Sequence, residues 1–99
     1  MSKHGYVYVM TNNKLTLYTG VTNNLVKRVY EHKNMKGSCF TAKYRLHKLI
    51  YYEYCDSIEY AIIREKQIKD MNRINKLSLI QKMNPTLNDL YNQILDASR

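Results

Sequence analysis

Tyr6-Val7-Tyr8-Val9-Met10-Thr11-Asn12-Asn13-Lys14-Leu15-Thr16-Leu17-Tyr18-Thr19-Gly20 is the stretch whose reading decides the fold. Tyr6 to Thr11 alternates around Val7 and Val9, and Leu15 to Thr19 alternates again around Leu17. A period of two marks a strand with one face inward. Thr11-Asn12-Asn13-Lys14 supplies polar turn residues between the two runs, so the stretch predicts a short β-hairpin that ends at Gly20.

Working outward, Thr22 is placed to cap a helix running to about Lys33, with Leu25, Val26 and Val29 as its apolar stripe. Asn34 to Ser38 reads as an exposed basic loop, and His47 to Tyr54, rich in Ile and Tyr, as a third strand. Asp56 and Glu59 have capping-box spacing and open a helix to about Met71. A further helix over Arg73 to Met83 turns Ile74, Leu77 and Ile80 inward. Asn84-Pro85 then restarts a helix with Leu87, Leu90, Tyr91 and Ile94 as its stripe. The order β-β-α-β-α-α-α predicts an α+β fold in which helices flank a small sheet. One domain over residues 1–95 is expected, with a disordered tail at 96–99. With three glycines in all and no Gly-rich loop after a strand, a doubly wound nucleotide fold is excluded.

The chain has 99 residues, and Leu, Ile, Val and Phe make up 24 of them, enough for a core. No apolar run has the roughly 18 to 20 residues of a membrane span, and no basic-then-apolar leader opens the chain. A soluble, cytoplasmic protein without membrane association is expected. Cys39 and Cys55 are too few and too far apart for a metal knuckle or disulfide framework, so both are expected as reduced thiols. Charge is uneven. Residues 1–54 hold nine basic and two acidic side chains, or +7, whereas residues 55–99 hold seven and six, or +1. Lys27, Arg28, Lys33, Lys36, Lys43 and Arg45 are opposed only by Glu31. Such a face suits a polyanion, nucleic acid first and an anionic membrane surface second. Ten Tyr against one Phe and no Trp is also unusual, because Tyr combines a stacking surface with a polar handle.

Glu65 breaks its helix's pattern. At about 100° per residue from Ile58, Ala61 lies at roughly 300°, Glu65 at roughly 340° and Ile62 at roughly 40°, so the carboxylate sits inside the apolar stripe. An inward Glu needs a metal or a cationic partner, and Lys69 at i+4 is in reach. Arg28 and His32 share a helix face, where Arg offers a donor fork suited to phosphate. Tyr8 and Tyr18 lie on the two hairpin strands. A phenol with a pKa of about 10 becomes a useful base only beside positive charge.

Tyr6-Val7-Tyr8 and Tyr18-Thr19-Gly20, followed by Arg28, His32 and Glu65 in that order, resemble the GIY-YIG nuclease superfamily. The likeness covers roughly residues 5–90. Phe40 to Tyr44 and Asn84-Pro85 look like its small stand-alone members, which are similar to the N-terminal nuclease domain of the bacterial excinuclease. Tyr6 stands where the motif has its first Gly, and Val21 where the excinuclease domain has a Lys. The resemblance implies a three-stranded antiparallel sheet between helices and metal-dependent hydrolysis of phosphodiester bonds in DNA, and the sequence leaves RNA open as a substrate. It implies one Mg²⁺ or Mn²⁺ held by Glu65, Tyr18 as proton acceptor from an attacking water, and Tyr8 as positioner of that water or of the metal hydrate. Arg28 and His32 would act on the scissile phosphate and the leaving group. Asn84 would tie the last segment to the site. Lys27, Lys33, Lys36, Lys43 and Arg45 are the expected nucleic-acid contacts. The rival expectations are a binding module without turnover and a component of a larger repair complex, with a protein partner supplying specificity.

Overall fold

The hairpin forms, with its second strand starting later than expected. The computed structural model describes residues 3–34 and 43–97. Strand β1 (Gly5–Thr11) pairs antiparallel with β2 (Tyr18–Thr22) from Tyr6↔Thr22 to Met10↔Tyr18. The return strand begins at Tyr18, not Leu15, because Asn12 organises the turn. Its Oδ1 accepts from the backbone N–H groups of Lys14 and Thr16, both at 3.0 Å, and Leu15 takes a left-handed φ of 58°. A side-chain turn of this kind outcompetes strand pairing.

Strand β3 (Lys48–Cys55) pairs antiparallel on the other side of β1, giving the order β2-β1-β3, with a register irregularity between Val9 and Met10. The expected α+β, three-stranded sheet is therefore present. Central β1 is apolar on both faces because both are covered. Val7 and Val9 pack with Ala61, Ile68 and Ile80 from helices α2 (Ile58–Asp70) and α3 (Arg73–Met83). Tyr8 and Met10 pack with Leu25 and Val29 of α1 (Leu25–Lys33) and Ile94 of α4 (Tyr91–Ala97).

Helix boundaries follow caps one or two residues from those expected. Asn24, not Thr22, caps α1 by accepting from Lys27 N–H at 3.2 Å, while the Thr22 hydroxyl accepts from Asn24 N–H. Ser57, not Asp56, caps α2 by accepting from Tyr60 N–H. Asn72 caps α3. Ile74 is 79% exposed and not inward. An i, i+3, i+6 stripe drifts by about 60° per step, which carries Ile74 roughly 120° away from buried Ile80.

No helix restarts at Pro85; α4 begins at Tyr91. Residues 84–90 instead run along the outer edge of β3. The Asn84 amide donates to Ile50 O (3.1 Å) and Asn88 O (2.7 Å), Leu90 N–H donates to Leu49 O, and Asp89 accepts from Leu49 N–H. This covers groups that an edge strand otherwise leaves open. Helix α4 includes Asp96 and Ala97, the first half of the expected tail. Buried Cys55 is a free thiol, while Cys39 lies outside the described residues. Among the described residues no helix is long and apolar enough to cross a membrane.

Two contacts fix α2 on the sheet. Arg64 grips the Glu53 carboxylate of β3 through Nε (2.9 Å) and Nη2 (3.0 Å), and the Tyr51 hydroxyl donates to the same carboxylate. At Gly5 the helix lies so close that a Cβ would stand 2.8 Å from Ala61 Cβ and from Ile58 Cδ1. Gly5→Ala is therefore expected to lower unfolding stability by about 1–3 kcal/mol, the usual cost of overpacking. Urea unfolding reads this as a lower midpoint at unchanged slope, and an unchanged midpoint would mean that α2 is not seated so closely.

Candidate active site

The site grows from the glycine in the second strand of the hairpin. Gly20 pairs with Tyr8 across the β1–β2 ladder. A Cβ on Gly20 would stand 2.6 Å from the Tyr8 hydroxyl oxygen and 3.0 Å from Tyr18 Cε2. Only a residue without a side chain lets the Tyr8 ring lie across the strand.

Tyr8 is 1% exposed and His32 2% exposed, and the Tyr8 hydroxyl meets His32 Nε2 at 2.9 Å. Arg28 Nε donates to the same hydroxyl at 3.4 Å, while its Nη1 reaches Glu31 Oε1 at 3.3 Å. Tyr18 stands beside both buried groups, its ring centroid 6.3 Å from that of Tyr8 and 5.6 Å from that of His32. Helix periodicity explains the convergence, since Arg28 and His32 lie one turn apart on α1. The structure thus brings together Tyr8, Tyr18, Arg28 and His32. The buried phenol and imidazole form the floor, and half-exposed Arg28 and Tyr18 stand above it.

Electrostatics separate these groups. Burial pushes the Tyr8 phenol up to about 12, against the pull of Arg28, so it stays protonated. Burial first, then the Arg28 charge, pulls the His32 imidazole down to about 4. Its Nδ1 is buried without a partner among the described residues. A neutral imidazole therefore faces Tyr8 at neutral pH. The bond to Tyr8 holds the Arg28 guanidinium still more firmly in its charged form. An open cleft lies beside it, lined by Val21, Thr22, Asn24, Lys27, Arg28 and Glu31. Glu31, which stands out in the sequence only as a lone opposing charge, occupies part of the guanidinium fork.

Glu65 stands on a different helix. It rises from α2, which packs on the Val7 and Val9 face, whereas α1 covers the opposite Tyr8 face. The route between them runs around β2, an edge strand that α2 also touches. The Glu65 side chain is 14% exposed and its Oε2 pairs with Lys69 Nζ at 3.0 Å, the i, i+4 partnership that the sequence spacing allowed. Among the described residues no three His, Cys, Asp or Glu side chains gather as a metal cage. A lone carboxylate still matches the way Mg²⁺ is commonly held, through one or two carboxylates, substrate phosphate and water. The donor set fits such an ion once Lys69 gives way.

Asn84 is 5% exposed and caps the C-terminus of α3, its bonds going to β3 and to Asn88. It is not part of the tyrosine–arginine cluster. Lys33 is tied down as well. Its ammonium donates to His47 O at 2.8 Å, pairs with Asp89 and lies 5.0 Å from the Tyr91 ring centroid. Lys27, Lys43 and Arg45 are exposed, and Lys36 lies outside the described residues.

Residues 4–78 match the family model described as the GIY-YIG catalytic domain. The chain belongs to that family, which is one of nucleases. It is 46% identical over 86 residues to a UPF0213 protein of Syntrophus aciditrophicus, a match spanning 86% of this chain and 97% of that one. A UPF0213 protein of Clostridium perfringens is 41% identical over 75 residues (76% and 81% of the two chains). One of Natronomonas pharaonis is 38% identical over 80 residues (81% and 94%). No solved structure matches.

The buried imidazole gives stability a sign against pH. Its folded value of about 4 lies below the ordinary 6.5. Above pH 6.5 both folded and unfolded chains hold it neutral. As pH falls towards 4 only the unfolded chain takes up the proton, and stability is lost. A gap of that size corresponds to roughly 3 kcal/mol. Denaturation from pH 7 to 4 should cost the wild type about that much more than His32→Gln. Equal losses in the two proteins would show that His32 titrates normally.

Proposed function

We propose that this protein is a divalent-metal-dependent endonuclease that hydrolyses phosphodiester bonds of DNA, acting as a nickase in cytoplasmic DNA repair or recombination. The observation that carries the reading is the Arg28 guanidinium, bonded from beneath by a buried phenol and open to a cleft in a chain of a nuclease family. A donor fixed before the substrate arrives is the arrangement that stabilises charge growing on a phosphate most effectively. In this reading a phosphate oxygen takes the place of the Glu31 carboxylate on Arg28, and Glu31 turns out to solvent.

Tyr18, the more accessible of the two phenols, acts in its phenolate form. It takes a proton from the attacking water as the water oxygen bonds to phosphorus and the bond to the leaving oxygen breaks. Tyr8 remains protonated and, with His32, keeps Arg28 and the Tyr18 ring in place. Glu65 is the residue that would hold one Mg²⁺ or Mn²⁺, and the ion would supply positive charge that favours the phenolate.

Two other readings each have one observation in their favour. Lys69 already neutralises Glu65, as suits a binding module without turnover. Exposed Tyr60, Ile63 and Ile74 on α2 and α3 suit a component that docks on a partner.

Nicking of supercoiled plasmid separates the readings. Glu65→Ala is expected to abolish cleavage that depends on Mg²⁺ or Mn²⁺ while DNA affinity stays within about threefold. Tyr18→Phe should slow cleavage by about 10²-fold or more, the usual worth of a positioned base. Wild-type protein that binds DNA but gives no metal-dependent nicks would favour the binding module, and Tyr18→Phe at full rate would remove Tyr18 from the chemistry.

A further inference from the structure

Positive charge also gathers around the β1–β2 turn, where Lys14, Arg73 and Lys76 join Lys43 and Arg45. Two clefts adjoin there and share Lys14 and Thr16 as a common wall. One is completed by Leu15, Leu17, Arg73 and Lys76, the other by Asn12, Lys43, Tyr44, Arg45 and His47. Among the described residues no acidic side chain lines either cleft. None of Lys14, Lys43, Arg45 and Lys76 belongs to an ion pair among the described residues.

The clefts are built, not incidental. Arg73 crosses from α3 to donate to Leu15 O at 2.7 Å, and Asn12 crosses to Tyr44 O at 2.8 Å. These bonds lock the turn to α3 on one side and to residues 43–47 on the other. Arg73 and Lys76 also sit in the opening turns of α3, which has no acidic residue in its first turn. Cations at that end oppose the helix dipole, and an anion in the cleft relieves the repulsion.

We infer that these two clefts form a track for the sugar-phosphate backbone of the nucleic acid, with Lys14, Arg73 and Lys76 on one side and Lys43 and Arg45 on the other. The inference rests on the reading of the protein as acting on nucleic acid. Continuity favours a polynucleotide over a membrane. Leu17 lines the first cleft and immediately precedes Tyr18 in the chain, so the cleft and the candidate site adjoin the same end of β2. Four residues from Lys14 to Tyr18 reach at most about 14 Å, the length of about four steps of a duplex strand. A substrate held at Arg28 thus extends along the turn, and neighbouring phosphates fall to the clefts. Recessed grooves flanked by cations suit a narrow backbone better than a flat lipid surface.

The test compares two double reversals that change net charge equally. Lys14→Glu/Lys76→Glu alters the track; Lys66→Glu/Lys82→Glu alters exposed positions outside the track. Arg73 is left alone because its bond to Leu15 holds the turn. Anisotropy of a fluorescein-labelled DNA duplex is followed from 50 to 300 mM NaCl, alongside plasmid nicking and co-sedimentation with phosphatidylserine vesicles.

The track variant is expected to lose about tenfold or more in affinity at 100 mM salt. The slope of log affinity against log salt should become shallower by about two, one for each lost phosphate contact. The control should lose less than about threefold. Equal losses in both variants would overturn the track, as would vesicle binding that only the track variant loses while its DNA binding stays intact. A wild type that binds DNA with the expected difference between variants but never nicks would leave the track standing and remove the hydrolytic reading. A wild type that nicks while both variants bind alike would do the reverse.

Discussion

A single phenol packed over a glycine organises this molecule. The Tyr8 ring occupies the space that any side chain on Gly20 would take, and its hydroxyl there becomes the meeting point of an imidazole and a guanidinium. Three consequences follow, with burial as the leading cause. The phenol keeps its proton, the imidazole stays neutral, and the remaining positive charge belongs to Arg28, which stands at the surface of a cleft. A charged donor fork over a buried, neutral floor is held without a buried counter-charge, whose desolvation would be costly. Glu31, at the rim, balances Arg28 cheaply and reversibly, as a part-exposed pair does.

The sheet sets the second constraint. Because β1 is covered on both faces, α1 and α2 lie on opposite sides of it. The tyrosine–arginine cluster and Glu65 are therefore built on separate supports, one by α1 and the hairpin, the other by a helix clamped through Arg64–Glu53 and the close contact at Gly5. In the proposed reaction Glu65 is the residue that would hold the metal ion. Lys69 holds Glu65 in the meantime, and its exposed ammonium can leave at little cost.

Features that depend on local periodicity were legible in the sequence. The alternation of β1, the stripe of α1 and the anomaly of Glu65 at the centre of an apolar face all follow from spacing. The resemblance carried by Tyr8, Tyr18, Arg28, His32 and Glu65 led to the family to which the chain belongs. What spacing could not supply was competition between partners distant in sequence. Leu15 looks like a strand residue until Asn12 draws the turn around it, and Pro85 looks like a helix start until Asn84 commits its amide to Ile50 and Asn88. Lys33 counts as surface charge until Asp89 and Tyr91, some sixty residues on, close over it. The role of Gly20 is visible only once the register places it opposite Tyr8.

In the proposed reaction the Tyr8 hydroxyl positions Arg28 for phosphodiester hydrolysis. Tyr8→Phe deletes that one oxygen and leaves the ring that fills the space over Gly20. The decisive measurement is its rate of metal-dependent plasmid nicking, taken with its thermal midpoint and DNA affinity. The expected result is a folded protein that binds DNA within about threefold of wild type and nicks it about 10²-fold or more slowly, the loss typical of a misplaced charge-stabilising donor. A Tyr8→Phe protein that nicks at the wild-type rate would contradict it.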